Sequence, residues 1–285
     1  MLFSVSLFGN VLGLLISAIF QSAKVIYIVI PLLVIPQIIF GGAIVRFERF
    51  NPMFTEADAV PWFGNLMASR WGFEALAVEL ARNNPFDDRF IALEDRLYQA
   101  GWRRDFWISE LKKGSDSNHI MAELRWSADE LSMWEGRRFD WEWATPDQID
   151  WGALKGRYNR HYQDAFEARS SMRRDAGQNR DLASWKRAVH NDELWRWVLQ
   201  DDRPRRAIWL DGVIVQKAGP IHRVNDRTPG FKATMYSPFK TLFGQTISTL
   251  AFNILALVVM SALLWVLLLA EPFLSLRLRR SSVVH

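Results

Sequence analysis

Three stretches of this chain carry no charged side chain at all: residues 1–23, 25–45 and 241–270. No other feature constrains the fold as strongly. A helix needs about 20 apolar residues to cross a bilayer core of ~30 Å, and each run meets that length. Bulk composition conceals the pattern. Mean hydropathy is −0.05 and 23% of residues are charged, as in an ordinary soluble protein. The distribution of the charges decides the class, not their number.

Residues 46–240 hold 31 of the 35 Lys+Arg and 30 of the 31 Asp+Glu. This insert is therefore +1, with both signs interspersed, so the basic isoelectric point of the chain is no argument for a nucleic-acid interface. There is no cysteine, so neither a disulfide framework nor a thiolate metal site is available. The first apolar run lacks the basic leader and Ala-x-Ala site of a signal peptide. It reads as a span, or as the front of a longer membrane domain. A chain that opens directly in apolar sequence carries the expectation that a preceding portion is absent.

Segment one, Met1 to Phe20, contains Gly9, Gly13, Ser17 and Ala18, small residues that let helices approach closely in lipid. A turn around Lys24 leads to segment two, Val25 to Val45. Pro31 and Pro36 lie within it, each removing a backbone hydrogen bond and favouring a kink. Freed carbonyls in lipid need partners inside the protein, so a packed bundle suits this helix, with merely tolerated prolines as the alternative. A polar loop follows, then Pro61 to Arg82, where Trp62, Leu66, Trp71 and Leu76 mix with Arg70, Glu74, Glu79 and Arg82. This stretch is too short and too charged to span. It suits an interfacial or re-entrant helix, or else an amphipathic helix buried in the soluble insert.

Within the insert, residues 83–240, apolar spacing predicts helices over Asp87–Lys113, from an N-cap at Ser127 to Glu135, over Asp147–Arg174 and over Leu182–Leu199. Ala207–Leu210 and Val213–Gln216 flank Asp211-Gly212, a favoured two-residue hairpin turn, and predict a β-hairpin. Twelve of the 14 tryptophans lie between residues 71 and 240, enough aromatic area for a small core. Trp141-x-Trp143 and Trp195-x-Trp197 read as core or as a platform for sugars or lipids. Segment three, Thr241 to Ala270, ends at Glu271-Pro272 and Arg277-Leu278-Arg279-Arg280. Arginines hard against a span mark the cytoplasmic side, so the tail 271–285 is expected in the cytoplasm and the insert outside. The fold class expected is a mainly α membrane protein. It has three transmembrane helices, a re-entrant or interfacial helix and a mostly helical extracytoplasmic insert with one β-hairpin.

Several motifs then point one way. Pro31-Leu-Leu-Val-Ile-Pro-Gln-Ile-Ile-Phe-Gly-Gly42, Val60-Pro61 and Met67-Ala-Ser-Arg-Trp-Gly-Phe-Glu-Ala-Leu-Ala-Val78 come first. Asp211-Gly212-x3-Gln216-Lys217-x2-Pro220-Ile221, Tyr236-x-Pro238 and Phe252-Asn253 follow. Together they resemble the C-terminal half of a type-2 ABC exporter membrane domain, nearest the white/ABCG branch and its bacterial members with an enlarged external loop. The resemblance implies that segments one to three are the fourth to sixth helices of a six-helix domain. Ser69, Arg70 and Glu74 would then lie on the re-entrant helix. It implies a substrate pathway or gate at Ile35, Ile38, Ala43 and Ile44, with Ala43 departing from the bulky residue expected there. The implied setting is a bacterial plasma membrane crossed several times.

No G-x4-G-K-[ST] is present, so the cofactors ATP and Mg are expected on a partner nucleotide-binding domain, and none in this chain. Further expected partners are the N-terminal half of the membrane domain, a second copy in a dimer, and the lipid bilayer, with no nucleic acid. Whether the chain is a fragment or the product of a split gene stays open. The five histidines have no metal-ligand spacing, no G-x-S-x-G occurs, and no carboxylate pair stands out, so no catalytic residue and no metal site is expected. The other reading is a membrane-anchored extracytoplasmic binding or scaffold protein without transport activity.

Overall fold

The computed structural model describes residues 1–20, 22–44, 47, 60–143, 145–179, 181–202, 206–210, 212–224 and 234–281. In chain order the helices and strands begin with α1 (Leu2–Ile19), α2 (Ala23–Ile39), α3 (Trp62–Asn65), α4 (Ala68–Arg82), α5 (Ile91–Trp102) and α6 (Ile108–Leu111). They continue with α7 (Ser117–Glu135), α8 (Trp151–Asn179), α9 (Leu182–Val189) and α10 (Asp192–Leu199). The last are β1 (Ala207–Leu210), β2 (Val213–Gln216), β3 (Phe239–Leu242), β4 (Gln245–Ser248) and α11 (Thr249–Ser281). The chain divides into two compact units, Met1–Glu79 with Asn225–His285, and Leu80–Val224.

In the first unit, α1 and residues Thr249–Ala270 of α11 are long and apolar enough to cross a membrane. Core helices of soluble proteins pass the same test of length and composition, but they are covered. Here only 17% and 22% of the two apolar windows is buried. Leu14, Leu263 and Val266 point outward, more than half exposed. Where the two helices are covered, they cover each other. Phe8 of α1 joins Phe252, Ala256 and Leu257 of α11 in one cluster with Ala68 and Trp71 of α4. The N-terminal ends of α1 and α11 thus meet on the same short helix.

The structure corrects both remaining runs. Segment two was expected to span over 25–45, but α2 stops at Ile39. Its 17 residues rise ~26 Å at 1.5 Å each, the lower end of the length that crosses a bilayer core. The helix closes when Phe40 N–H bonds to the Pro36 carbonyl, and Gly42 then takes a φ of 76°. Pro31 and Pro36 do lie inside α2, which has no buried residue. Val45 lies outside the described residues. Segment three was expected to be helical from Thr241. Instead 239–248 forms an antiparallel hairpin, β3–β4, with Leu242 paired to Gln245. The Ser248 hydroxyl accepts the Ala251 N–H, the N-cap that starts α11 at Thr249. The helix also runs through residues 271–281, expected as tail.

The second unit ends at Val224, short of the expected end of the insert at 240, because the chain from Asn225 belongs with the first. Its helices break where local chemistry dictates. The stretch Asp87–Lys113 holds a 3-10 turn, α5, a π turn over Arg103–Trp107 and α6. Asp116, not Ser127, caps α7, accepting from the N–H groups of Asn118 and His119. Ser127 sits inside α7, donating to the Leu124 carbonyl and accepting from the Trp141 indole. The helix expected at Asp147 starts at Trp151. The one expected over 182–199 is two helices, capped by Asp181 and Asn191. The hairpin β1–β2 forms in the expected register, Leu210 opposite Val213, with Gly212 at a φ of 78°; Asp211 lies outside the described residues.

Tryptophan builds this core as its abundance suggested. Trp102, Trp107 and Tyr158 are buried with Leu111, Leu131 and Leu154. The indoles of Trp102, Trp107 and Trp209 donate to Arg206 O, Glu123 Oε2 and Glu110 O, so none is stranded. A bidentate pair closes the unit: Arg82 donates to both Asp95 oxygens at 2.9 and 2.7 Å, and to Ile221 O at 2.6 Å. His222 Nδ1 lies 2.8 Å from Asp95. Burial pushes the Asp95 carboxyl up, but His222 and Arg82 outweigh it and leave it below the ordinary range.

A second network surrounds His161. Arg96 can only donate, so Nδ1 accepts at 2.8 Å, and the ring proton on Nε2 faces Glu135 at 3.3 Å. Burial and the nearby Arg96 charge hold this imidazole below the usual range. For Glu135, burial acts upward, while hydrogen bonds from Arg157 and Arg137 dominate and bring its carboxyl down to about 2. Folding depresses this pKa, so its stabilisation is complete above the unfolded value of ~4.5 and disappears as pH falls towards about 2. Glu135→Gln should therefore flatten the acid limb of the second unit's stability. Tryptophan-fluorescence denaturation at pH 6, 4 and ~2.5 checks it; an unchanged acid limb would contradict the assignment.

Candidate functional site

The residues singled out by Met67–Val78 come together at α4, which is buried on nearly every side. Gly72 shows why the helix fits. A Cβ added there would meet Val5 of α1 at 3.1 Å. Arg70 and Glu74, four apart and hence on one face, are both 0% exposed, with Nη2 and Oε2 3.4 Å apart. Taking two charges out of water costs several kcal/mol each unless their polar atoms are partnered. Glu74 is fully partnered. Lys240 Nζ donates to Oε2 at 2.6 Å, Asn253 Nδ2 to the same oxygen at 2.8 Å, and the Tyr236 backbone N–H to Oε1 at 3.2 Å.

Each partner is positioned by its own element. Lys240 is the second residue of β3 and is fully buried. Its ammonium also donates to Asn253 Oδ1 at 3.2 Å and lies 5.1 and 5.3 Å from the Trp71 and Phe252 rings, close enough for a cation–π contribution. Asn253 sits one turn into α11 and returns its second amide hydrogen to the Trp71 carbonyl at 3.0 Å. Tyr236 reaches Glu74 only because its backbone is left-handed, with a φ of 70°. That conformation is costly for an aromatic residue, and it persists because the surrounding contacts over-determine it. The Arg70 guanidinium lies 3.8 Å over the Trp71 ring. Among the described residues, none of its three nitrogens has a hydrogen-bond partner.

Ser69 makes the other join. Its N–H donates to Gln37 Oε1 at 3.1 Å and its hydroxyl to the Gln37 carbonyl at 2.5 Å. A distant glutamine side chain thereby caps the start of α4, while Ser69 satisfies a carbonyl left free near the end of α2. Gly41 makes the approach possible, since a Cβ there would sit 2.7 Å from both Gln37 O and Ser69 Oγ. The Pro31–Gly42 and Met67–Val78 motifs therefore meet physically.

The expected pathway residues do not gather at this site. Ile35 and Ile38 share a face of α2 and are 53% and 48% exposed. Ala43 and Ile44 lie past the helix end, in the bend after Gly42, with Ile44 65% exposed. Gln37, Tyr236, Lys240 and Asn253 were not singled out as site residues. A lone amide near the start of an apolar helix was the signal for Asn253, because an amide in apolar surroundings needs a partner. Lys240, the last charge before the third run, was the signal for that partner.

Trp141 and Trp143 pack against the core of the second unit. The two rings stack at 4.5 Å and 7° apart, each covering one face of the other. Among the described residues, no three His, Asp or Glu side chains gather in a metal-ligating arrangement. No protein-family model matches the chain, and neither a curated protein nor a solved structure matches it.

Glu74 is one anion between two buried cations, which fixes the order of substitution effects. Glu74→Gln strands both cations and should cost about 3–5 kcal/mol, whereas Lys240→Met leaves Glu74 with Arg70 and should cost less. Combining the two should recover stability over Glu74→Gln alone. Thermal unfolding of the detergent-solubilised chain reads all three; equal, additive losses would show that the charges act independently.

Proposed function

We propose that this chain is the C-terminal part of the permease domain of an ABC exporter, with α1, α2 and α11 as membrane helices and α4 re-entrant between them. One observation carries the reading. Ser69 to Val78, the stretch most like the exporter domain, forms a helix joined to every membrane-side element: by apolar packing to α1, by Gln37 to α2, by Glu74 to β3 and α11. A segment that enters lipid without crossing must satisfy its polar groups inside the protein. The Glu74 network does that for the carboxylate, and Arg70 faces it at 3.4 Å. Apolar outer faces on α1, α2 and α11 support lipid as their solvent, because monomeric soluble proteins rarely expose contiguous apolar patches of such extent.

On this reading α4 is a coupling element. Displacement of α11 reaches α4 through Asn253, Lys240 and Glu74, and passes to α2 through Ser69 and Gln37. These elements then rock as one body around a midplane cavity shared with the N-terminal half and a second copy. ATP and Mg, bound on a separate nucleotide-binding domain, supply the energy, and the cargo is amphipathic or lipid-like. The half-exposed Ile35 and Ile38 on α2 suit contact with such a cargo. The insert stands outside the cell and the arginine-rich end of α11 in the cytoplasm.

The second reading, an anchored binding module, draws on the independent core and Arg82–Asp95 closure of the second unit. Native membranes separate the two. The exporter reading expects the chain to resist alkaline extraction and to co-purify with a P-loop ATPase whose turnover falls in Ser69→Ala. An intact chain that is monomeric and soluble without detergent sinks it. Ligand binding retained by residues 80–224 alone would favour the module.

A further inference from the structure

The hairpin β3–β4 ends in an unusual turn. Phe243 and Gly244 connect the strands with φ values of 50° and 80°, the doubly left-handed pattern of a type I′ turn. Glycine adopts it freely. For an aromatic residue it is strained, and Phe243 is moreover 97% exposed. The other hairpin has the same loop length and carries Asp-Gly between its strands, the usual solution in water. A strained and uncovered phenylalanine needs an apolar partner outside the described contacts.

Three observations identify that partner as lipid. The tip lies five residues before the 22-residue apolar run that starts at Thr249. Residues 241–249 carry no charge. Leu242 and Ile247, flanking the turn, pack against the cluster that holds Phe8, Trp71 and Phe252 and is joined by Met1 and Val5. The hairpin therefore lies level with the first turns of α1 and α11, where a span meets the headgroups. Four residues per strand reach ~13 Å, whereas the interfacial layer is about 5–8 Å deep on each side. A hairpin held against the helix ends keeps its tip inside that layer; one standing upright would not.

We propose that the β3–β4 hairpin is a membrane-interface anchor, with Phe243 entering the boundary between headgroups and acyl chains. The inference rests on the membrane reading above. Interfacial aromatic residues fix the depth and rotation of a span. This one is joined to α11 through Ser248 and to the Glu74 network through Lys240, and so sets the depth of both. Its strain is offset when the ring leaves water.

The absence of cysteine allows a direct test on the full chain in phosphatidylcholine–phosphatidylglycerol vesicles. Spin labels are placed singly at Phe243→Cys, at Leu263→Cys in the apolar run and at Ser171→Cys, exposed on α8. Collision with oxygen is compared with collision with a water-soluble nickel chelate. The oxygen-to-nickel ratio at 243 should approach that at 263 and exceed that at 171 several-fold. A water-like ratio at 243 with a lipid-like one at 263 overturns the anchor and leaves the membrane reading standing. Water-like ratios at both overturn the membrane reading as well. A label at 243 shielded from both reagents and broadened by a second spin places another copy there, which also defeats the proposal.

Discussion

One carboxylate organises the first unit. Glu74 accepts from Lys240, Asn253 and the Tyr236 backbone while facing Arg70, and none of the four side chains has appreciable exposure. These groups come from α4, β3, α11 and the segment before β3, so all must be in place before Glu74 is satisfied. A half-formed network would leave a bare charge among apolar side chains, which is worse than no network. The cluster therefore acts on specificity more than on gross stability. Apolar helices can slide and rotate against one another at little cost, but moving α11 by one residue would put Phe252 or Ile254 where Asn253 donates two hydrogen bonds.

Much of the first unit was readable in the sequence, and its limits are physical. The uncharged runs located α1, α2 and α11, and the spacing of Arg70 and Glu74 gave their common face. The ends of the runs misled, because absence of charge marks what tolerates an apolar environment and not which backbone it adopts. Gly41-Gly42 ends α2 before Val45, and Ser248 delays α11 until after a hairpin whose residues from Thr241 onward are as uncharged as the apolar run that follows. The network partners lay 162 to 179 residues from Glu74 for Tyr236, Lys240 and Asn253. No periodicity reports a distance of that kind.

In the second unit the hairpin was legible because its turn chemistry is local. The helix breaks were not. Asp87 to Lys113 keeps helical spacing throughout, yet the backbone passes through a π turn at Arg103–Trp107. There the buried Arg103 forms an ion pair with Glu130 at 3.0 Å and lies over Trp126 at 3.8 Å. The extra residue per turn lets one buried cation and its aromatic neighbours share the interior. Ser127 misled for a related reason. A serine can cap a helix or donate back to its own carbonyls, and the Trp141 indole, fourteen residues away, selects the second role.

The two units solve opposite problems with one set of residues. Leu80–Val224 puts tryptophan and leucine inside and most of its charges at the surface, with the Trp102, Trp107 and Trp209 indoles all bonded. The first unit keeps charge at its centre and apolar side chains outside, as Tyr27, Ile28 and Leu32 on α2 show at 77, 70 and 67% exposure. Water would penalise that arrangement twice, by wetting the apolar faces and by competing for the Glu74 network. A hydrocarbon surround removes both penalties, and it raises the cost of leaving Arg70 or Lys240 unpaired. On the membrane reading the polarity of the interior and the apolarity of the exterior follow from one cause, and a change of solvent would undo both together.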